Sequence, residues 1–373
     1  MRKWFAAAIV MLLVLTGCGG GGTVSVPSSG GSSDAPAVRT YNGTASVGDF
    51  LSLSVDANAH TIAYQNLSNG DQGTVSYTVN SDGTYTISDP SGNLLSAYEV
   101  PDYAMLIEAA KTGPNHDTPA LITAIAKGNI SLDTWKNHAF NYMQFRTTSG
   151  GLEIGSVSLD ASGNVSVSNY WPYGATMEDS QPFGAETMPA SNFQNGPNGT
   201  YLTMSESGAG TDYVFGTANG VFAVDTENGA ILGFAKSASK AFDPSVAGTY
   251  HAVYYQKNGA SAGMNNVELG TPMLNHATIT VSSNGQVTAV DPQGNTLLSA
   301  TLTAVADAPY LYDGTGSKLA DPCYGMFTFR TTHAGATEDT FVTFVNGAML
   351  FSEFSSPSKT GSGYDYLYGV GLK

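Results

Sequence analysis

Thr74-Val75-Ser76-Tyr77-Thr78-Val79-Asn80-Ser81-Asp82-Gly83-Thr84-Tyr85-Thr86-Ile87-Ser88 holds two short runs in which apolar and hydroxyl side chains alternate, separated by a turn built on Asp-Gly. A period of two sends successive side chains to opposite faces of a strand. Asp-Gly accepts the positive φ of a tight hairpin turn, so the stretch predicts two antiparallel strands, Thr74 to Val79 and Thr84 to Ser88. The same punctuation recurs at Asn69-Gly70, Asn219-Gly220, Asn228-Gly229, Asn258-Gly259, Asn284-Gly285 and Asn346-Gly347. Further strands are expected at Leu152 to Leu159, Tyr213 to Thr217, Gly220 to Val224, Thr278 to Ser282, Thr340 to Phe344 and Ala348 to Phe354. An all-β fold of antiparallel strands follows.

The chain also repeats itself. Asp89-Pro90-Ser91-Gly92-Asn93-Leu94-Leu95-Ser96-Ala97 matches Asp291-Pro292-Gln293-Gly294-Asn295-Thr296-Leu297-Leu298-Ser299-Ala300 once Thr296 is allowed as an insertion. Phe145-Arg146-Thr147-Thr148 likewise matches Phe329-Arg330-Thr331-Thr332. The landmarks lie farther apart in the first copy, which places a small insertion near 98–140. Helical patterning at Tyr103 to Lys111 and Leu121 to Lys127, and Ser131 as a cap for Leu132 to Phe140, predict that the insertion is helical. Two β domains are therefore expected, 40–240 with its insertion and 246–373, opening on Tyr41-Asn42-Gly43-Thr44 and Val246-Ala247-Gly248-Thr249-Tyr250. Closure into barrels hides the edges that long uncharged sheets would otherwise expose. The Gly-Thr-Tyr opening and the later arginine on an aromatic strand resemble calycin-type barrels such as lipocalins, which implies barrel-like domains.

Ahead of the first domain stand Met1-Arg2-Lys3 and the uncharged, apolar run Trp4 to Leu15, too short for the roughly 20 residues of a membrane-spanning helix. This is the pattern of an export signal. Leu15-Thr16-Gly17-Cys18 resembles the lipobox of bacterial lipoproteins, which implies a signal peptide at 1–17 and a lipid on Cys18. Residues 18–39, rich in Gly, Ser and Pro, read as a flexible tether. Gly19 after the cysteine resembles lipoproteins sent to the outer membrane, facing the periplasm or the cell surface. A glycine-rich tether joined to paired β domains is also similar to the surface lipoproteins of Gram-negative bacteria that capture host iron carriers.

Composition narrows the function. The 373 residues carry a formal net charge of −16, which excludes a phosphate-binding surface, so no nucleic-acid partner is expected. Charged residues are 12% of the chain and Gly numbers 44, which excludes a coiled coil. Cys323 is the only cysteine besides Cys18, so the folded part gains no internal disulfide, and Cys323 reads as a small buried residue.

No catalytic constellation and no cofactor are expected. Six scattered histidines lack metal-ligand spacing, so no metal site is expected either. Asp225-Thr226-Glu227-Asn228-Gly229 has the oxygen-rich look of a calcium loop but lacks later ligands, and reads as a solvated hairpin tip. Gly259-Ala260-Ser261-Ala262-Gly263 fits a nucleophile elbow without the helix that should follow it, leaving a hydrolase using Ser261 as the remote alternative. Arg146 and Arg330 hold matching places in the repeat and read as structural cations, stacked on aromatics or forked to a carboxylate. Aromatic residues offer the binding candidates: Tyr170, Trp171 and Tyr173 beside an acidic loop, and Tyr364, Tyr366 and Tyr368 on one face of the last strand. The expectation is a non-enzymatic, lipid-anchored envelope protein that binds a ligand or partner, a glycan or an envelope protein; the alternative is a structural component that self-associates.

Overall fold

The computed structural model describes residues 37–88, 94–109, 119–146, 151–172, 186–205, 210–218, 220–260, 273–308, 321–333, 336–355 and 364–373. The first sheet runs β1 (Val38–Ala45), β2 (Phe50–Asp56), β3 (Thr61–Asn66), β4 (Gln72–Val79), β5 (Thr84–Ser88), β6 (Leu94–Val100), β7 (Ala104–Ala109) and β8 (Ala120–Ala126). These strands pair in chain order, and β1 pairs with β8 to close the barrel. A single helical turn, α1 (Leu132–Trp135), follows.

The second sheet holds β9 (Ala139–Arg146), β10 (Gly151–Leu159), β11 (Val165–Pro172), β12 (Glu186–Met188), β13 (Phe193–Asn195), β14 (Leu202–Ser205), β15 (Thr211–Gly216), β16 (Val221–Thr226) and β17 (Gly229–Ala235). The third holds β18 (Gly248–Ala260), β19 (Met273–Val281), β20 (Gln286–Val290), β21 (Thr296–Thr301), β22 (Thr303–Ala304), β23 (Met326–His333), β24 (Ala336–Val345), β25 (Ala348–Ser355) and β26 (Tyr364–Leu372). In each the first and last strands pair, β9 with β17 and β18 with β26, so both sheets curl round as nearly closed barrels with the ladder interrupted after the fourth strand.

The all-β, barrel-like fold expected from the alternation is present, but in three copies rather than two, because the span 40–240 holds both the closed barrel and the second sheet. The helical insertion expected near 98–140 is instead the end of β6, then β7 and β8, with α1 as the only helix among its described residues. Both strands are buried on two faces, Met105 and Ile107 inside the barrel and Leu106 against its neighbours, so alternation is erased and the run imitates a helix. Five of the eight expected strands lie within observed ones, and Tyr213 to Thr217, Gly220 to Val224 and Thr278 to Ser282 each overrun theirs by one residue; Asn69-Gly70, Asp82-Gly83, Asn228-Gly229, Asn284-Gly285 and Asn346-Gly347 sit at strand junctions, Asn42-Gly43 and Asn258-Gly259 lie inside β1 and β18, and Asn219 lies outside the described residues.

Of the matched motifs, Asp89 to Asn93 lies outside the described residues, and Asp291 to Asn295 marks turn chemistry. Asp291 accepts hydrogen bonds from the Gln293 and Asn295 amides, and the Asn295 side chain returns to it at 2.8 Å. Asp160-Ala161-Ser162-Gly163-Asn164 repeats that network between β10 and β11. The motif therefore joins different strands in different barrels. The extra Thr296 appears as a β-bulge, with Ala289 opposite Leu298 but Val290 opposite Thr296.

The first barrel is filled. Arg39, expected in the tether, is an inward residue of β1, and its guanidinium forks onto Glu99 with two contacts of 2.7 Å. The Tyr41 and Tyr85 hydroxyls donate to the same carboxylate at 2.5 and 2.6 Å. Burial alone would raise the Glu99 carboxyl, but these hydrogen bonds and the Arg39 charge outweigh it and hold it below the ordinary carboxylate range.

Outward faces join the barrels. Phe50 of β2 stacks on Tyr213 at 4.5 Å, and Thr44 donates to Asp225 Oδ1 at 2.7 Å. Asp225 and Thr226 are thus buried between the first two barrels, not at a solvated tip, and burial raises the Asp225 carboxyl well above its usual range. On the other side His276 Nε2 meets Glu108 at 2.7 Å and Tyr98 packs on the His251 ring.

Two measurements test these contacts. Arg39→Met strands the Glu99 carboxylate and should cost about 3–5 kcal/mol in urea unfolding, while adding Glu99→Leu should restore most of that loss. The hydrogen bond that His276 donates to Glu108 raises the imidazole's pKa, so its contribution to stability is complete below about pH 6.5 and is lost as pH rises through the raised value. Thermal unfolding of the wild type should therefore weaken more between pH 6 and 8 than that of His276→Gln; parallel curves would contradict the assignment.

Candidate functional site

In the third barrel the inward residues follow from register. Phe329, Thr340, Glu353 and Leu367 stand opposite one another across β23 to β26, and Phe327, Val342, Phe351 and Gly369 form the next row. Gly369 is required there: a Cβ would collide with the Phe351 ring and with Tyr254 Cβ, so glycine lets both side chains lie across the closing strand. Small residues face them from β19 and β20, Ala277 and Ala289.

These rows enclose a cavity of about 540 Å³, within the usual range for a small-molecule site. Aromatic rings that do not line the cavity pack together in the same barrel core. Phe242, from the segment entering the barrel, meets Phe327 edge-on at 5.5 Å and Phe344 at 6.0 Å, and the Tyr250 hydroxyl donates to the Val246 carbonyl beneath them. The middle is apolar, with Ile279, Val287, Phe329, Val342, Met349 and Phe351. The opposite end, where β23 turns into β24, carries Glu338 and Glu353. Thr331 Oγ1 donates to Glu338 at 3.2 Å and Thr340 Oγ1 to Glu353 at 3.0 Å. Thr340 lies directly opposite Glu353, so the two carboxylates are diagonal neighbours on the inner face. Burial raises the Tyr254 phenol, helped by the charges of Asp291 and Glu353. The lumen is thus a largely apolar cavity with two carboxylates toward the β23–β24 end.

The expected site residues fall elsewhere. Cys18, Ser261 and Tyr173 lie outside the described residues. Tyr170 and Trp171 belong to β11, and Tyr364 and Tyr366 to the start of β26 at the open end of the third barrel; the side chains of all four lie outside the described residues. Tyr368 is 1% exposed and stacks on Phe145 at 5.1 Å between the second and third barrels, away from any binding surface. Arg330 forks onto Asp339 with contacts of 2.7 and 2.8 Å on the outer face of the third barrel. Arg146 ends β9, the first strand of its sheet, whereas Arg330 is in the sixth of its own, so the two are not equivalent positions; the Arg146 side chain lies outside the described residues. Cys323 is buried, with Sγ 3.7 Å from Ser156 Oγ. Among the described residues no group of three or more His, Cys, Asp or Glu is placed to hold a metal ion, and no helix is long and apolar enough to cross a membrane.

Sequence reasoning missed Arg39, Glu99, Glu338 and Glu353. Of these, Glu338 carried a signal: it shares the period-two face of Thr340, Val342 and Phe344, an acid on a largely apolar stripe.

No protein-family model and no curated protein matches the chain. Among solved structures it is similar to a protein of unknown function of the DUF3598 family from Nostoc punctiforme, with 11% identity over 63% of this chain and 95% of that one and a TM-score of 0.25. It is also similar to a double mutant of the vaccine antigen transferrin-binding protein B from Haemophilus parasuis, with 10% identity over 91% and 76% of the two chains and a TM-score of 0.22. Intact transferrin-binding protein B, with N and C lobes, gives 10% identity over 91% and 79% and a TM-score of 0.24. At such scores the likeness carries no weight for function.

Proposed function

We propose that the chain is a non-enzymatic, lipid-anchored protein of the bacterial envelope whose third barrel takes up a small apolar ligand. The observation that carries this reading is the contrast between two lumens. The first encloses Arg39, Glu99 and their tyrosine partners, while the third keeps about 540 Å³ open between largely apolar walls. Packed interiors rarely leave space of that size without use. Apolar walls favour an apolar ligand over the glycan expected from Tyr170, Trp171 and Tyr173. Anchoring rests on Leu15-Thr16-Gly17-Cys18 and the tether behind it.

Titration with the neutral fluorophore N-phenyl-1-naphthylamine should show saturable binding, weakened at least about tenfold by Ala289→Trp, which fills the lumen, with the melting temperature preserved. Absence of saturable binding would remove the proposal. Mass spectrometry of protein from membranes should find a mature chain that begins at an acylated Cys18, and Cys18→Ser should release it from the membrane fraction; an unmodified start elsewhere would refute the anchor.

A further inference from the structure

The wall of the third barrel is interrupted along one line. β21 pairs with β20 over Thr296 to Thr301, and the Leu302 amide still donates to the Gly285 carbonyl on that side. The chain then crosses over, and Thr303 and Ala304 of β22 pair with Thr328 and Phe327 of β23. Among the described residues those two pairs are the whole ladder between the two ends of the sheet. Farther along, β21 keeps to β20 and β23 keeps to β24, so a seam separates them.

The cavity reaches that seam from both sides. The bulge after Thr296 puts Leu297 out of alternation, and Leu297 and Leu298 both line the cavity, although successive strand residues ordinarily face opposite ways. Across the seam, the successive residues Thr331 and Thr332 both line it as well. A space touched by both faces of two strands extends round their edges. Exposure marks the same place: Leu297, 50% exposed, and Thr332 are exposed, and every other lining residue is buried or half-buried. The cavity therefore meets solvent through its side wall.

A side opening changes what can be held. A ligand sealed inside apolar walls must be apolar throughout, because a polar group taken in without a partner loses its hydration. Through the seam, one apolar chain can lie against Ile279, Val287, Val342 and Met349 while the group it carries stays in water. The rim suits such a head, for Thr332 offers a hydroxyl and β21 offers the peptide groups of its free edge, with no charged side chain from Thr296 to Ala304.

Resting on the reading of this lumen as a binding site, we propose that the third barrel takes the single apolar chain of a larger amphiphile, loaded sideways between β21 and β23, with its bulky polar head left outside at Leu297 and Thr332. The test displaces N-phenyl-1-naphthylamine from the full chain with decanol and with octaethylene glycol monodecyl ether, both uncharged, equal in alkyl chain and used below their aggregation concentrations. The ether should bind within about threefold of decanol, since its head never enters. Leu297→Trp and Thr332→Trp narrow the seam from opposite sides at exposed positions, where the melting temperature should hold. Each should weaken the ether at least about tenfold while decanol stays within about threefold of its wild-type affinity. Binding of decanol without the ether, or ether binding that neither variant weakens, would overturn side loading and leave the small apolar ligand in place. Failure of the fluorophore and of decanol to bind would overturn both readings together.

Discussion

Everything in this molecule hangs on the pairing of the first strand of each sheet with its last: β1 with β8, β9 with β17, β18 with β26. That pairing removes the sheet edge in the first barrel and leaves only β12, β13, β21 and β22 as edge strands in the other two. The closing strands line a lumen on the inside and meet the neighbouring barrels on the outside. β16 and β17 carry long buried runs beside this seam, and Tyr103, Val221, Leu232, Phe234, Ala348 and Val370 meet where the three barrels converge. Three curled sheets thereby share one continuous core, since a single cluster joins Leu106 of the first, Phe145 of the second and Tyr368 of the third.

Strand number then separates the lumens. Eight strands make a barrel just wide enough for side chains to fill, and diameter grows with each added strand. The eight-stranded barrel encloses Arg39 and Glu99 as a forked pair that two tyrosine hydroxyls also satisfy, for a buried ion pair lacking hydrogen bonds loses more solvation than it regains. Nine strands leave surplus width. The second barrel takes it up by laying Tyr142 across Gly155 and Phe222 across Gly233, whereas the third lays only Phe351 across Gly369 and faces it with Ala277 and Ala289.

The sequence declared its strands readily because Asn-Gly and Asp-Gly turns and period-two alternation are local signals. It concealed the count of barrels. β7, Ala104-Met105-Leu106-Ile107-Glu108-Ala109, and β8, Ala120 to Ala126, are buried on both sides, and an unbroken apolar run reads equally well as helix. The Asp-x-x-Gly-Asn turns misled for another reason. Their similarity arises from one carboxylate satisfying two backbone amides and an asparagine, a solution any hairpin can adopt, so it reports a turn and not a position within a domain. The candidate site was half legible. Glu338 was visible as an acid on an apolar stripe, but its neighbour Glu353 comes from β25, and only register brings the two together. Arg39 was hidden by the tether's composition, which runs up to the first residues of β1.

Placing carboxylates at the rim, not the floor, resolves a conflict between binding and folding. A charge set among Phe242, Phe327 and Phe344 would be desolvated in every empty molecule and would need a resident partner, as Glu99 needs Arg39. At the mouth, Glu338 and Glu353 are half-buried, and each accepts a threonine hydroxyl. The aromatic cluster at the other end can then be wholly apolar, its rings bracing one another. An acid deep in a closed lumen is thus matched by the chain's own cation, whereas acids nearer solvent escape full burial.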